Sequence, residues 1–306
     1  MTTHRGAKAR IGLLGTGPWA AHTHAPALAA HDGVEFVGVW GRRPEAAAEL
    51  ATAFGTTAYD DVEDLLEVSD AIAFALPPDV QAPLALRAAA MGCHLLLDKP
   101  VATTVEAARD VAEVSGLAEV ASVVFCTLRF ADATARWIDE QAAAGDWFLG
   151  EAHWLGSLYG PGSQSAYAAS PWRREKGGLW DVGPHVLSVY LPVLGDVTEV
   201  TAVRGPADTH HLVLRHTSGA SSTATLTLSA PPEAAEAALT LHGKQGRAAL
   251  PTWDGATEAF GRAVDALLES ARTGVPHACD ARFGARITEI LSLAEQAAGP
   301  GREPAA

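Results

Sequence analysis

Several short runs in the first 125 or so residues are apolar from end to end, among them Ile11-Gly12-Leu13-Leu14 and Ala71-Ile72-Ala73-Phe74-Ala75-Leu76. A strand with one wet face alternates apolar and polar residues, whereas an uninterrupted run belongs to a strand covered on both faces. Such runs fall at 10–14, 35–40, 71–76, 94–97 and 122–126, separated by amphipathic stretches rich in Ala and Leu. This rhythm predicts an α/β domain, a doubly wound parallel sheet with helices on both sides. After about residue 145 the pattern changes to alternating runs, such as Leu212-Val213-Leu214-Arg215 and Thr223-Ala224-Thr225-Leu226-Thr227-Leu228, punctuated by Gly219, Pro231-Pro232, Gly243 and Gly246. A second, α+β domain with a mostly antiparallel sheet is expected there. The stretches 257–271 and 281–297 read as helices and 299–306 as a polar tail. The expected division is 1–123 for the parallel domain and 124–306 for the second.

Charge and cysteine content narrow the function. Lys plus Arg is 22 against 36 for Asp plus Glu, a net charge of −14, which opposes binding to a nucleic-acid backbone. No apolar run is long enough for a membrane span, and Met1 to Arg10 is polar and basic, so a cytoplasmic location is expected. Cys93, Cys126 and Cys279 are far apart and odd in number, which suits buried reduced thiols better than a disulfide framework. His210, His211, His216 and His242 lack neighbouring carboxylates or thiolates at ligand spacing, so no metal is expected.

The first run leads into Gly15-Thr16-Gly17-Pro18-Trp19-Ala20, a GxGxxA turn between a strand and a helix. Gly15 allows the tight turn, Gly17 allows backbone to approach a pyrophosphate, and Ala20 allows close helix-to-strand packing. The helix N-terminus then faces the phosphates, and Pro18 and Trp19 lie beside them. A Rossmann-type dinucleotide site is expected here. The strand at 35–40 ends in Trp40-Gly41-Arg42-Arg43, with no carboxylate for an adenosine ribose. A guanidinium would clamp a 2′-phosphate that a carboxylate would repel, which favours NADP over NAD. The alternative is that Arg42 and Arg43 only precede Pro44 on a solvated loop.

Three further segments complete a pattern: Leu76-Pro77-Pro78-Asp79, His94-Leu95-Leu96-Leu97-Asp98-Lys99-Pro100, and Gly177-Gly178-Leu179-Trp180-Asp181-Val182-Gly183-Pro184-His185. In this order behind the glycine turn, the chain resembles the Gfo/Idh/MocA oxidoreductases over nearly its whole length. The resemblance implies a Rossmann domain followed by a substrate-binding and oligomerising domain, and a homodimer or homotetramer. It also implies hydride transfer between a nicotinamide and a secondary alcohol or ketone of a sugar, cyclitol or related polyol. Lys99, Asp181 and His185 are then the catalytic candidates. Leu76, Pro77, Asp98, Lys99 and Pro100 join Gly15, Gly17, Pro18, Trp19, Ala20, Gly41, Arg42 and Arg43 as cofactor contacts.

These roles are chemically sensible. Lys99, at a strand end, could stabilise charge as a carbonyl becomes an alkoxide, with Asp98 steadying it. Pro100 restricts Lys99 to an extended backbone, and in the family this peptide bond is often cis. Asp181 and His185, four apart, share a helix face, and a helix opening near 179–181 would place Pro184 in its first turn. A histidine ordinarily titrates near neutrality, as a general acid or base for the hydroxyl proton requires, and Asp181 could orient it or bind a substrate hydroxyl.

Two positions depart from the family pattern: Gln81 stands where a histidine is usual and Ser188 where an aspartate is usual, which bears on the substrate. Arg129 and Ser188 remain candidate substrate contacts. The segment 159–176 reads as a specificity loop, in which Trp172 and Tyr167 either stack on a sugar or anchor the loop. Two alternatives stay open: an NAD-dependent glycoside hydrolase of the same family, and a noncatalytic nucleotide-binding regulator.

Overall fold

The computed structural model describes residues 7–253 and 255–299. Residues 1–6 of the basic start and most of the polar tail lie outside the described residues. Contacts divide the chain into two compact units, one of residues up to 131 together with 254–285, the other of 132–253 together with 286 onward.

In the first unit six parallel strands, β1 (Ala9–Leu14), β2 (Val34–Trp40), β3 (Thr57–Tyr59), β4 (Ala71–Phe74), β5 (His94–Asp98) and β6 (Ser122–Phe125), take the order β3-β2-β1-β4-β5-β6. Every residue of β4 and β6 is buried, as the unbroken apolar runs require. Helices α1 (Ala25–Ala30), α2 (Pro44–Phe54), α3 (Val62–Glu67), α4 (Pro78–Ala90) and α5 (Val105–Leu117) connect them. The strand order reverses between β1 and β4, and such a switch point opens a crevice at the strands' carboxyl ends. Three-residue β3 is too short for a periodic signal and is absent from the sequence reading.

The second unit opens with α6 (Asp132–Ala144) and contains α7 (Pro171–Leu194) and six strands. These are β7 (Trp147–Leu155), β8 (Val197–Arg204), β9 (His210–His216), β10 (Ser221–Thr227), β11 (Glu236–Gly243) and β12 (Gly246–Ala249), in the order β12-β11-β7-β10-β9-β8. Only β7 and β10 pair in parallel, so the sheet is mostly antiparallel, as expected. In β9 the residues His210, Leu212, Leu214 and His216 face inward, and the residues between them are exposed.

Two helices follow, α8 (Ala256–Thr273) and α9 (Ala281–Ala298). The apolar stripe Phe260, Ala263, Val264 and Leu267 of α8 is fully buried, and α8 packs on β5 and β6. Residues 254–285 thus belong to the first unit, and the first break comes after Ala131. The division read from the sequence, 1–123 and 124–306, follows chain order and misses this return.

Candidate active site

In the first unit the candidate cofactor residues gather at the carboxyl ends of β1, β2, β4 and β5. Gly15 has φ +130°, and a side chain there would collide with the carbonyl oxygen of Ala75, so the turn can only be made by glycine. Gly17 differs: a Cβ there would meet no atom within 4 Å. Packing does not demand a glycine at this position, whereas close approach of a ligand to the backbone before the helix does. Ala20 is fully buried where the helix meets the strand, and Pro18 and Trp19 are half-buried. This cradle fits a dinucleotide pyrophosphate.

The helix continues as a π segment, Ala20–His24, before α1. His24 is fully buried, stacked 4.0 Å from Phe260 and edge-on to Phe125 and Trp19. Neither ring nitrogen has a partner among the described residues, and burial pushes its pKa down to about 3. A neutral imidazole therefore serves as core beneath the cofactor turn, a role the sequence reading did not foresee.

At the end of β2, Gly41 is buried against Thr16, whose methyl would lie 2.6 Å from a Cβ there. Arg42 and Arg43 are both exposed, and Arg43 occupies the N-cap position of α2. Leu76 and Pro77 are half-buried in the turn between β4 and α4.

The turn after β5 carries the Lys99–Pro100 cis peptide. Its backbone is held by Gln81, a fully buried side chain on α4. The Gln81 amide NH₂ donates to the carbonyls of Asp98 (2.9 Å), Pro100 (3.3 Å) and Val101 (3.0 Å), and its oxygen accepts from the Asp98 N–H at 2.8 Å. The Asp98 carboxylate accepts from the Lys99 N–H at 2.7 Å. Gln81 is thus a positioning residue for Lys99, and its departure from the family pattern bears on this turn. Arg129, expected near substrate, has its guanidinium 6.0 Å from the ring centroid of Phe283 within the same unit.

In the second unit the remaining candidates lie along α7. Pro171-Trp172-Arg173-Arg174 is not loop but the helix start, with Pro171 in its first turn. The helix breaks at Gly177, φ +64°, where a side chain would press on Asp208. A Cβ on Gly178 would lie 2.6 Å from the Cα of Thr227, so the glycine pair lets α7 meet β10. Asp208 completes this junction, accepting from the Gly178 N–H (2.7 Å), the Leu228 N–H (2.9 Å) and the Thr227 hydroxyl (2.6 Å). Burial pushes its carboxyl up, but these bonds prevail and hold it below the usual carboxylate range. Pro184 lies inside the continuous helix, not in a first turn, because the helix already runs from the glycine pair.

Asp181 is buried and forms an ion pair with Arg173 at 3.1 Å. The Arg173 guanidinium also lies over Trp172 (4.6 Å) and Tyr167 (5.6 Å). Trp172 is buried and Tyr167 half-buried, and both hold the Arg173 guanidinium. His185 is half-buried and stacks on Trp154, centroids 4.6 Å apart and planes 11° apart, and Trp154 in turn leans on Trp253. Trp154 and Arg173, which orient the two candidate side chains, were not foreseen. Ser188, offered as a substrate contact, is fully buried with its hydroxyl on the His185 carbonyl at 2.7 Å, an intrahelical bond.

Cys93, Cys126 and Cys279 are all buried, and burial pushes the Cys93 thiol up to about 11. Among the described residues no three His, Cys, Asp or Glu side chains are grouped to hold a metal ion. No described helix is long and apolar enough to cross a membrane.

Comparison with known proteins identifies the family of the chain. The model of the oxidoreductase family with an NAD-binding Rossmann fold matches residues 9–125, and that of the GFO/IDH/MocA C-terminal domain matches residues 133–249. The chain is 32% identical over 107 residues to glucose-6-phosphate 3-dehydrogenase of Bacillus subtilis (strain 168), covering 34% of this chain and 30% of that protein. It is 37% identical over 103 residues to dTDP-3,4-didehydro-2,6-dideoxy-alpha-D-glucose 3-reductase of Streptomyces antibioticus, covering 33% and 31%. Each match therefore spans about a third of the curated relative. The structure of GenD2 from gentamicin A biosynthesis, in complex with NAD, shares the fold with a TM-score of 0.84 at 18% identity, over 99% of this chain and 97% of that one. With family models matched on both the parallel-sheet region and the region of the mostly antiparallel sheet, the chain belongs to the Gfo/Idh/MocA oxidoreductase family.

Proposed function

We propose that the protein oxidises or reduces a secondary alcohol or ketone on a sugar or related polyol, with NADP as its preferred nicotinamide cofactor. The observation that carries this reading is the Gln81 clamp, which fixes the Asp98-Lys99-Pro100 turn on the sheet edge that also bears the Gly15–Gly17 cradle. A buried side chain committed wholly to the peptide groups of one turn implies that the turn's geometry matters beyond packing. The names of the curated relatives, a sugar-phosphate dehydrogenase and a nucleotide-sugar reductase, support the substrate class.

Gly15, Gly17, Pro18, Trp19 and Ala20 would hold the pyrophosphate, and Asp98, Lys99 and Pro100 would border the nicotinamide. When bound, the cofactor supplies the hydride acceptor or donor. The Lys99 ammonium donates a hydrogen bond to the substrate oxygen and stabilises negative charge as it develops. His185 takes the hydroxyl proton in the oxidative direction and returns it in the reductive one, its ring plane fixed by Trp154. Asp181, restrained by Arg173, contributes a fixed negative charge one helical turn from His185. The exposed guanidinium groups of Arg42 and Arg43, at a strand end without a carboxylate, support the preference for a 2′-phosphate.

The test is titration of the stripped protein with NADPH and with NADH, followed by energy transfer from tryptophan; Trp19 adjoins the cradle. NADPH should bind more tightly, and Arg42→Ala should weaken it by about tenfold while leaving NADH unchanged. Equal affinities, or tighter NADH binding, would refute the NADP preference, and no binding of either would refute the enzyme reading.

A further inference from the structure

Beside the start of α7 the second unit holds a cavity of about 660 Å³, a size typical of small-molecule sites. Tyr159, Arg174, Lys176, Arg204, Asp208 and His210 line it. Two of these charges are already committed: Asp208 to the glycine pair and β10, and Lys176 to Glu295 at 3.2 Å. The two arginines are different. Each donates only its Nε to a backbone carbonyl, Arg174 to Ala168 (3.0 Å) and Arg204 to Gly299 (2.9 Å). That bond orients the guanidinium and leaves its terminal NH₂ groups without a hydrogen-bond partner among the described residues, the Arg174 fork lying 5.6 Å from the ring centroid of Tyr159.

Two buried polar atoms in the lining also lack partners among the described residues, the Tyr159 hydroxyl and Nε2 of His210. His210 is only 3% exposed. Its Nδ1 lies 3.0 Å from the Asp208 carbonyl oxygen, which can only accept, so Nδ1 carries the proton. Burial, aided by the Arg204 charge, lowers its affinity for a second proton, although the Asp208 backbone bond opposes this. In the neutral ring Nε2 is an acceptor. The lining therefore combines two cationic forks and the Glu175 carboxylate with an enclosed acceptor nitrogen and an enclosed phenol hydroxyl.

We propose that this cavity receives the phosphoryl group of a phosphorylated sugar substrate, an inference that rests on the sugar-oxidoreductase reading above. Arg174 and Arg204 take the anionic oxygens. The cavity lies at the start of the helix that carries the proton-handling residues: Gly177 is in its wall, and Arg174 follows the Arg173 that pairs with Asp181.

The test uses the double variant Arg174→Ala/Arg204→Ala; both side chains are exposed, so the fold should be unaffected. In calorimetric titration with inorganic phosphate, the variant should lose a binding event that the parent shows, or bind at least about tenfold more weakly. Phosphate held only at the glycine turn would bind both proteins alike, and that result, or no binding to the parent, overturns the site. In turnover of glucose 6-phosphate against glucose, the variant should raise KM for the phosphorylated sugar about tenfold or more, with kcat and the glucose reaction unchanged. Equal effects on the two sugars, despite lost phosphate binding, would assign the cavity to free phosphate and overturn its substrate role. Failure of the oxidoreductase reading would look different: neither sugar turned over, and phosphate binding still lost in the variant.

Discussion

At the edge of the first sheet the candidate groups are held through their own backbone: Gly15 fits against the Ala75 carbonyl, and the Gln81 side chain grips the peptide groups from Asp98 to Val101. On α7 they are held by other side chains: Asp181 by Arg173, Arg173 over two aromatic rings, and His185 against Trp154. Backbone geometry restricts which residues can stand at a position and so leaves a motif. A network of side chains can be rebuilt with other partners and leaves little trace. The first arrangement suits a ligand common to many proteins, and the second suits one that varies.

The largest expected effects test the two supports directly. Lys99→Ala and His185→Ala should each lower kcat by about 10²–10⁴-fold, with nucleotide affinity nearly unchanged, as measured by steady-state kinetics and fluorescence titration. Full activity in both would remove the catalytic assignment. A smaller effect separates backbone clamping from side-chain chemistry. Gln81→Leu leaves buried peptide groups of the Lys99 turn unpaired and should cost on the order of 2–4 kcal/mol in denaturant unfolding. An unchanged midpoint would mean that the turn holds its own shape.

The smallest effect concerns the core under the cradle. The unfolded chain protonates His24 near pH 6.5, whereas the buried ring resists until about pH 3. The folded pKa is depressed, so this contribution is complete above pH 6.5 and is lost as pH falls, at up to about 1.4 kcal/mol per pH unit. His24→Phe should reduce the loss of stability between pH 6.5 and 5.5, read from urea midpoints at each pH. An identical pH slope in both proteins would show that the ring finds a proton partner.

The same distinction explains what the sequence revealed. Unbroken apolar runs located β1, β2, β4, β5 and β6 because burial on both faces removes alternation, and α8 was legible from its stripe at Phe260, Ala263, Val264 and Leu267. Its destination was not, since periodicity says which face is buried and not against what. Gly15 and the Lys99–Pro100 turn were readable because few residues satisfy their backbone demands. Gln81 was read as bearing on substrate because its four bonds join positions 17 to 20 residues away. The Trp154–His185 stack is likewise a tertiary contact, and no local spacing encodes it.

The return of α8 to the first sheet also has a consequence for biosynthesis. The ring of His24 is covered by Phe260, and the Thr257 hydroxyl donates to the His22 carbonyl across 235 residues. A ribosome releases β1 to β6 long before it reaches α8, so the nascent nucleotide-binding half waits with an open aromatic cluster while the whole second sheet is made. The part of the protein that is translated first is thus closed only after the whole second sheet has been made, and a fragment ending at the close of β6 would lack the helix that seals its core.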